Sequence, residues 1–197
     1  MTSPPAIQHG RIYHIYNRGN NRENIFIEER NFRYFLQKYG QMVAPFVDTY
    51  AYCLLRNHFH LLVRIKDLDE LDPNQRTKKP GQVLGNFFNA YAKAFNRRYD
   101  RSGSLFENPF ERAEVASGSY FMQLIVYIHQ NPQKHGFVDD FRNWPYSSYH
   151  ALLGPEPTRL MRKNVLDQFG GPTSLKEAHG SMIQEGQIIA LALENFD

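Results

Sequence analysis

Two hydrophobic periods alternate along the first half of the chain. A period of two, typical of half-buried strands, runs through residues 11–17, 48–56 and 58–65. A period near 3.6, typical of amphipathic helices, runs through residues 28–43 and 84–99. The chain is therefore predicted to begin as strand, helix, strand, strand, helix, with a tight hairpin between the second and third strands.

The next elements complete a recognisable order. Residues 104–116 are typical of a loop that runs into a short strand. Ser117 or Ser119 can cap a third helix, expected over about 120–130 and ended by the Asn-Pro pair at 131–132, because the residue before a proline disfavours helical geometry. The first six elements match the split βαβ arrangement. We therefore predict an α+β, ferredoxin-like antiparallel sheet with helices packed on it.

Length and composition fit one compact domain with an appendage. The 197 residues are 42% hydrophobic, which is enough for a core without covalent cross-links. We expect residues 1–150 to form the domain. Residues 151–197 are expected to form a C-terminal helical extension of unassigned function, with one amphipathic helix near 184–194.

Several features favour a cytoplasmic protein without a membrane partner. The single cysteine, Cys53, excludes an internal disulfide and fits a reducing compartment. Residues 1–10 contain two prolines and no apolar segment typical of a secretory signal. No stretch approaches the roughly 18 apolar residues that a membrane span needs.

The net charge of +3 is mild, but the basic residues are clustered. Residues 76–101 contain seven basic residues and one acid, whereas residues 172–197 contain four acids and one lysine. A local basic excess favours a polyanionic partner such as nucleic acid, although a solvated helix face without a partner explains it equally well. The candidates for contact with a nucleic-acid backbone are Lys93, Arg97, Arg98 and Arg101.

Two histidines and two residues of the third helix are the candidates for chemistry. His58 and His60 are two apart in a strand, so both imidazoles project from one face and suit one divalent metal, unless they are ordinary strand histidines. Tyr127 and Asn131 are four apart on a helix, so they share a face. The Asn131 amide oxygen could complete a His₂Asn site with open positions for phosphodiester oxygens. Tyr127 as simple packing stays open, because apolar residues surround it in the sequence.

Further short motifs accompany these residues in a fixed order. Arg-Asn precedes His58-Phe59-His60 and Leu-Leu-Val follows it, and residues 127–132 read Tyr-Ile-His-Gln-Asn-Pro. The other motifs are Tyr13-His14, Asn17-Arg18-Gly19, Tyr91-Ala92-Lys93 with Phe95-Asn96, Gly103-Ser104-Leu105-Phe106, and Trp144-Pro145-Tyr146-Ser147-Ser148-Tyr149. Over about residues 10–150 the ordered set resembles the HUH single-tyrosine transposases, and among them the REP-associated tyrosine transposases.

The resemblance implies roles for individual residues. Tyr127 matches the nucleophile, His58 and His60 match the metal ligands, and Asn131 matches the position of a third ligand. Members of the family cut single-stranded DNA, often beside an imperfect hairpin, and form a 5′-phosphotyrosine while freeing a 3′-hydroxyl. After the Asn-Pro pair this chain reads Gln-Lys-His-Gly, where the family favours a Val-Arg-Ala-Gly type of run. That departure puts the DNA target and the oligomeric form in question.

The metal and its surroundings are constrained only in part. Hard phosphate ligands favour Mg²⁺ or Mn²⁺, while imidazoles also tolerate Zn²⁺. His14 in the first strand is either a partner of a metal-binding histidine or an ordinary structural hydrogen bonder. His129 is a weak candidate for a general base, because a position two residues from Tyr127 on a helix points to a different side.

The sequence therefore favours a metal-dependent single-strand DNA endonuclease and strand transferase that acts on single-stranded or hairpin DNA. Three alternatives stay open: a non-catalytic nucleic-acid-binding module, a metal-dependent phosphodiesterase that uses activated water, and a structural zinc site, whose removal by a chelator would unfold the protein. The sequence leaves undecided the DNA target, the metal and the mobility of the element. It also leaves undecided whether the protein is a monomer or a homodimer that exchanges its tyrosine helices.

Overall fold

The computed structural model describes residues 6–184 and 186–188. The strands are β1 (Ile12–Arg18), β2 (Val47–Leu54), β3 (His58–Ile65) and β4 (Glu111–Glu114). The long helices are α1 (Glu29–Met42), α2 (Pro80–Arg98) and α3 (Gly118–Lys134). Three short helices follow them, α4 (Tyr149–Leu153), α5 (Arg162–Phe169) and α6 (Pro172–Ala178).

The four strands form one antiparallel sheet in the order β2-β3-β1-β4. Because β3 is antiparallel to both neighbours, β1 and β2 run parallel to each other on either side of it. This is the split βαβ arrangement, and the α+β, ferredoxin-like prediction is confirmed. The predicted strands and the first two helices agree with the observed bounds to within a few residues.

The sheet separates two layers of helix. On one face, the Phe59 ring lies 5.2 Å from the ring of Phe35 in α1 and 5.3 Å from the ring of Phe88 in α2. Because side chains alternate along a strand, His58 and His60 project from the opposite face. That face is covered by α3. Helices α2 and α3 therefore lie on opposite sides of the sheet.

Helix α3 is longer than the sequence predicted. Ser117 is its N-cap and accepts a hydrogen bond from the main-chain N–H of Tyr120 at 3.3 Å. The prediction that the Asn-Pro pair ends the helix is wrong, since Pro132 lies inside it. A proline removes one hydrogen bond, and the buried packing of this helix outweighs that loss. The helix ends where Gly136 adopts a left-handed conformation with φ +69°.

The chain after α3 packs against the sheet and α3. The Leu54 N–H donates to the Tyr146 carbonyl and the Ser148 N–H to the Tyr52 carbonyl, both at 2.9 Å, so residues 146–148 lie along the outer edge of β2. The helix predicted over 184–194 lies mostly outside the described residues, and the boundary at residue 150 stays a prediction. Within the described part of the chain, no helix has the length and apolar character needed to cross a membrane.

Candidate active site

The two histidines of the sequence motif lie on the central part of the sheet. β3 is hydrogen-bonded on both sides, and its register places Tyr16 of β1 opposite His60. The His58 and His60 rings lie 5.2 Å apart and nearly perpendicular. His14 stacks on Tyr16 at 4.7 Å and lies 5.1 Å from the His60 ring. The strands therefore present an aromatic, imidazole-rich surface to α3.

Helix α3 delivers its two candidate residues to that surface. The Tyr127 ring lies 5.9 Å from the His60 ring in an edge-on arrangement, and Tyr127 is 6% exposed. Asn131 is fully buried one turn later, and its Nδ2 donates to the Tyr127 carbonyl at 2.8 Å. The structure thus brings together Tyr127, Asn131, His58 and His60 within one chain.

Two polar atoms at this point suit a metal ion. His60 uses Nδ1 in a 2.9 Å hydrogen bond with His14 Nε2. Its other nitrogen, Nε2, and the Asn131 Oδ1 are buried and have no hydrogen-bond partner among the described residues. Such unsatisfied atoms are costly, and a divalent cation would satisfy both. No group of three or more His, Cys, Asp or Glu in the described part of the chain is arranged to hold a metal, so a site here depends on the amide oxygen.

The imidazoles are held in the neutral form that binds metals. Burial lowers the pKa of His14 to about 3. Burial, with a smaller effect from His135, lowers the pKa of His58 to about 4. Burial, and then the neighbouring His14 and His58, hold the pKa of His60 well below its ordinary value, while the nearby Asn131 amide opposes this shift. Neutral imidazole has a lone pair that can coordinate a metal.

The chain's own Lys134-His135 pair also reaches the site. The Lys134 ammonium nitrogen is buried and lies 4.8 Å from the centroid of the Tyr127 ring. The His135 ring lies 4.8 Å from that of His58. Sequence reasoning singled out these residues only as a departure from the family pattern. The spacing of seven between Tyr127 and Lys134 is two helical turns, and it could have placed both on one face.

The other predicted site residues lie elsewhere. Lys93, Arg97 and Arg98 are exposed on α2, which the sheet separates from Tyr127. Arg101 donates to a Glu23 carboxylate oxygen at 3.0 Å. The candidate backbone contacts on α2 and the candidate catalytic residues therefore lie on opposite faces of the sheet.

His14 lies against His60, where a residue supporting a metal ligand would be. His129 is hydrogen-bonded to Ser148 and His179, on a different side of α3 from Tyr127. That position removes it as a base for Tyr127.

Comparisons with known proteins agree with the motifs. No family model matches the chain. A protein of Haemophilus influenzae that is assigned to the REP-associated tyrosine transposases is 28% identical over 119 residues. The match covers 57% of this chain and 64% of that protein. The chain therefore matches less than two thirds of the length of this relative.

The fold is similar to that of a solved protein. The structure of a REP-associated tyrosine transposase bound to a REP hairpin superposes with a TM-score of 0.54 and 18% identity, over 77% of this chain and 83% of that one. At this identity the likeness concerns the fold. The chain is thus similar in sequence to one REP-associated tyrosine transposase and similar in fold to another, and both findings support the resemblance to the HUH tyrosine transposases.

Proposed function

We propose that this protein is a metal-dependent single-strand DNA endonuclease and strand transferase with Tyr127 as its nucleophile. The observation that carries the proposal is the convergence of a phenol from α3 with the imidazoles of β3, at 5.9 Å between the Tyr127 and His60 rings. Hairpin-bearing DNA is the proposed substrate, because the solved structural neighbour is bound to a REP hairpin.

The residues at the site fit a divalent cation. His58, His60 and Asn131 would hold Mg²⁺ or Mn²⁺, and their imidazoles would also accept Zn²⁺. When bound, the cation would neutralise the charge of the scissile phosphate and of the pentacovalent transition state. His14 fixes the orientation of the His60 ring through the 2.9 Å hydrogen bond.

The proposed reaction exchanges one phosphate ester for another. The Tyr127 phenol loses its proton to water as its oxygen bonds the phosphorus. The bond from phosphorus to the 3′-oxygen breaks, and that oxygen takes a proton from water to become a 3′-hydroxyl. The downstream strand stays attached as a 5′-phosphotyrosine.

The same residues favour the reverse step. A second 3′-hydroxyl can attack the phosphotyrosine and expel the phenolate, which leaves more readily than an alkoxide, so strands are rejoined without ATP. The Lys134 ammonium above the ring stabilises negative charge on the phenol in both directions. Tyr127 is nearly buried, so few water molecules can compete with a 3′-hydroxyl for the phosphotyrosine, which favours transfer over hydrolysis.

A covalent-adduct assay tests the proposal. The probe is a pool of hairpin oligonucleotides with randomised single-stranded flanks and a 3′-terminal fluorophore, because the 3′ fragment is the one retained. With Mn²⁺, wild-type protein should give a fluorescent band that survives denaturing electrophoresis, and Tyr127→Phe should give none. Tyr120→Phe is the matched control, since Tyr120 lies on the same helix and is 1% exposed.

The assay also separates the alternatives. DNA binding by wild-type protein without any adduct would support a non-catalytic binding module. Cleavage that survives Tyr127→Phe would support a phosphodiesterase that uses activated water. Either result overturns the proposed function.

A further inference from the structure

Helix α3 carries polar side chains on two different sides. Tyr127 and Asn131 meet the histidines of β3, whereas His129 and Gln130 are only 0% and 2% exposed and contact other parts of the chain. Buried polar side chains require hydrogen-bond partners. The partners of His129 and Gln130 lie in segments that the proposed chemistry does not use.

His129 belongs to a chain of hydrogen bonds with one consistent direction. The Leu175 carbonyl can only accept, so His179 Nδ1 donates to it at 2.7 Å. In a neutral ring, His179 Nε2 then accepts from His129 Nδ1 at 2.9 Å. His129 Nε2 accepts from the Ser148 hydroxyl at 2.8 Å, and Ser148 Oγ accepts from the Tyr52 N–H at 2.9 Å. A continuous series of hydrogen bonds thus joins β2 to α6 through α3.

This direction of hydrogen bonding applies to neutral imidazoles, each of which donates from one ring nitrogen and accepts at the other. Their surroundings are in keeping with that state. Burial lowers the pKa of His179. Burial, and then the neighbouring His179, hold the pKa of His129 well below its ordinary value.

Gln130 binds the main chain of the same C-terminal segment. Its Nε2 donates to the Ser181 carbonyl at 2.8 Å and to the His179 carbonyl at 3.3 Å. Its Oε1 accepts from the Ile183 N–H at 2.9 Å. All three bonds go to backbone groups, so the amide holds the path of the segment rather than one side chain.

We propose that residues 175–183, which we name the C-terminal brace, fix the rotation of α3 so that Tyr127 meets His60. His129 and Gln130 are then positioning residues, and the inference rests on the proposed function of Tyr127. His129 stands about 200° around the helix from Tyr127. A restraint on that side opposes any rotation that would carry the phenol away from the imidazole.

The sequence of α3 explains why its C-terminal end needs support from outside the helix. Pro132 lacks an N–H, so it interrupts the hydrogen-bond ladder about one turn after Tyr127. This end of the helix is therefore weakened close to where the phenol must be held. Bonds from outside the helix replace the missing stiffness.

Substitutions in the brace should slow chemistry without weakening DNA binding. His179→Phe keeps a ring but loses both hydrogen bonds, and Gln130→Met keeps the side-chain length but loses three. At a saturating concentration of the hairpin pool, the rate of adduct formation should fall by about 10-fold or more in both variants. A displacement of a reacting group by about 1 Å can lower a rate on the order of 100-fold. The half-saturating DNA concentration should not change.

Two further variants separate positioning from stability. His179→Gln can still donate and accept, so its rate should return to within about 3-fold of wild type, since hydrogen-bonding capacity is preserved. Val43→Ala truncates a fully buried residue just past the end of α1 and should leave the rate unchanged. An equal loss in Val43→Ala, or unchanged rates in both disruptive variants, overturns the brace.

Hydrogen–deuterium exchange of α3 gives a readout that does not need activity. The amides of residues 124–134 should exchange faster in His179→Phe and Gln130→Met than in wild type, and at the wild-type rate in Val43→Ala. If wild-type protein forms no adduct, the proposed function fails and this measurement alone decides the brace. Unchanged exchange in α3 then overturns it.

Discussion

His60 has two ring nitrogens, and the structure gives them different surroundings. Nδ1 shares a hydrogen bond with His14 Nε2, whereas Nε2 is buried without a partner among the described residues. For Nε2 to bind a metal it must have a lone pair, so Nδ1 must carry the proton and donate to His14. We therefore propose that His14 selects the form of His60 that can act as a ligand.

We expect His14→Phe to weaken metal binding. The substitution keeps a ring of similar size but removes the acceptor for His60, and loss of such a supporting bond costs roughly 10–100-fold in metal affinity. His14→Gln, whose amide oxygen can accept, should lose less. Titration calorimetry with Mn²⁺ measures both, and equal affinity in wild type and His14→Phe would show that His14 is only a packing residue.

At the scale of elements, α3 decides the geometry of the site. Its C-terminus is closed by Gly136, whose N–H donates to the Gln133 carbonyl at 3.0 Å, while the Phe137 N–H donates to the Pro132 carbonyl at 2.9 Å. This Schellman arrangement needs a left-handed residue, which glycine adopts without strain. Lys134, whose ammonium nitrogen lies 4.8 Å from the centroid of the Tyr127 ring, is the last residue of the helix before this turn.

Gly136→Ala should destabilise the protein by about 1–2 kcal/mol, the cost of a left-handed conformation for a residue with a Cβ atom. Steric overlap does not cause this loss of stability, because a Cβ atom at position 136 would meet nothing within 4 Å. Gly81→Ala is the control, since it has the same open surroundings without the positive φ and should stabilise α2 by up to about 1 kcal/mol. Urea denaturation gives both values, and equal effects would contradict the argument.

Local patterns predicted most of these elements but not how they are assembled. The period of two placed His58 and His60 on one face of a strand, and the spacing of four placed Tyr127 and Asn131 together. The end of α3 was missed because a proline rule describes an isolated helix, while packing decides this one. The partners of His129 were missed because Ser148 and His179 are 19 and 50 residues away, and no local pattern reports such contacts.

At the scale of the whole molecule, the sheet separates the basic helix α2 from Tyr127, the proposed nucleophile. The spacing of hydrophobic residues in the sequence shows which side of α2 is buried. It does not show on which face of the sheet α2 packs. DNA that contacts both Lys93 and Tyr127 would have to pass around an edge of the sheet. A folded hairpin with an unpaired flank can follow such a path more readily than a straight duplex.

We expect the double variant Lys93→Glu, Arg97→Glu to bind the hairpin pool more weakly, with a shallower dependence of affinity on salt, because fewer phosphate counterions are released. The rate of adduct formation at saturating DNA should not change, since neither residue is near Tyr127. Lys163→Glu on α5 is the control for a single charge reversal at an exposed position away from α2. Fluorescence anisotropy at several salt concentrations measures affinity, and an unchanged value would show that α2 does not follow the DNA.

Residues 146–148 have a consequence for how the protein behaves at high concentration. They occupy the outer edge of β2, and the opposite edge is formed by β4, which has only four residues and includes Glu111, Arg112 and Glu114. Short or charged edges discourage the pairing of one sheet with another. The protein should therefore resist fibril formation in concentrated stocks, and variants that detach residues 146–148 should be the first to bind amyloid dyes.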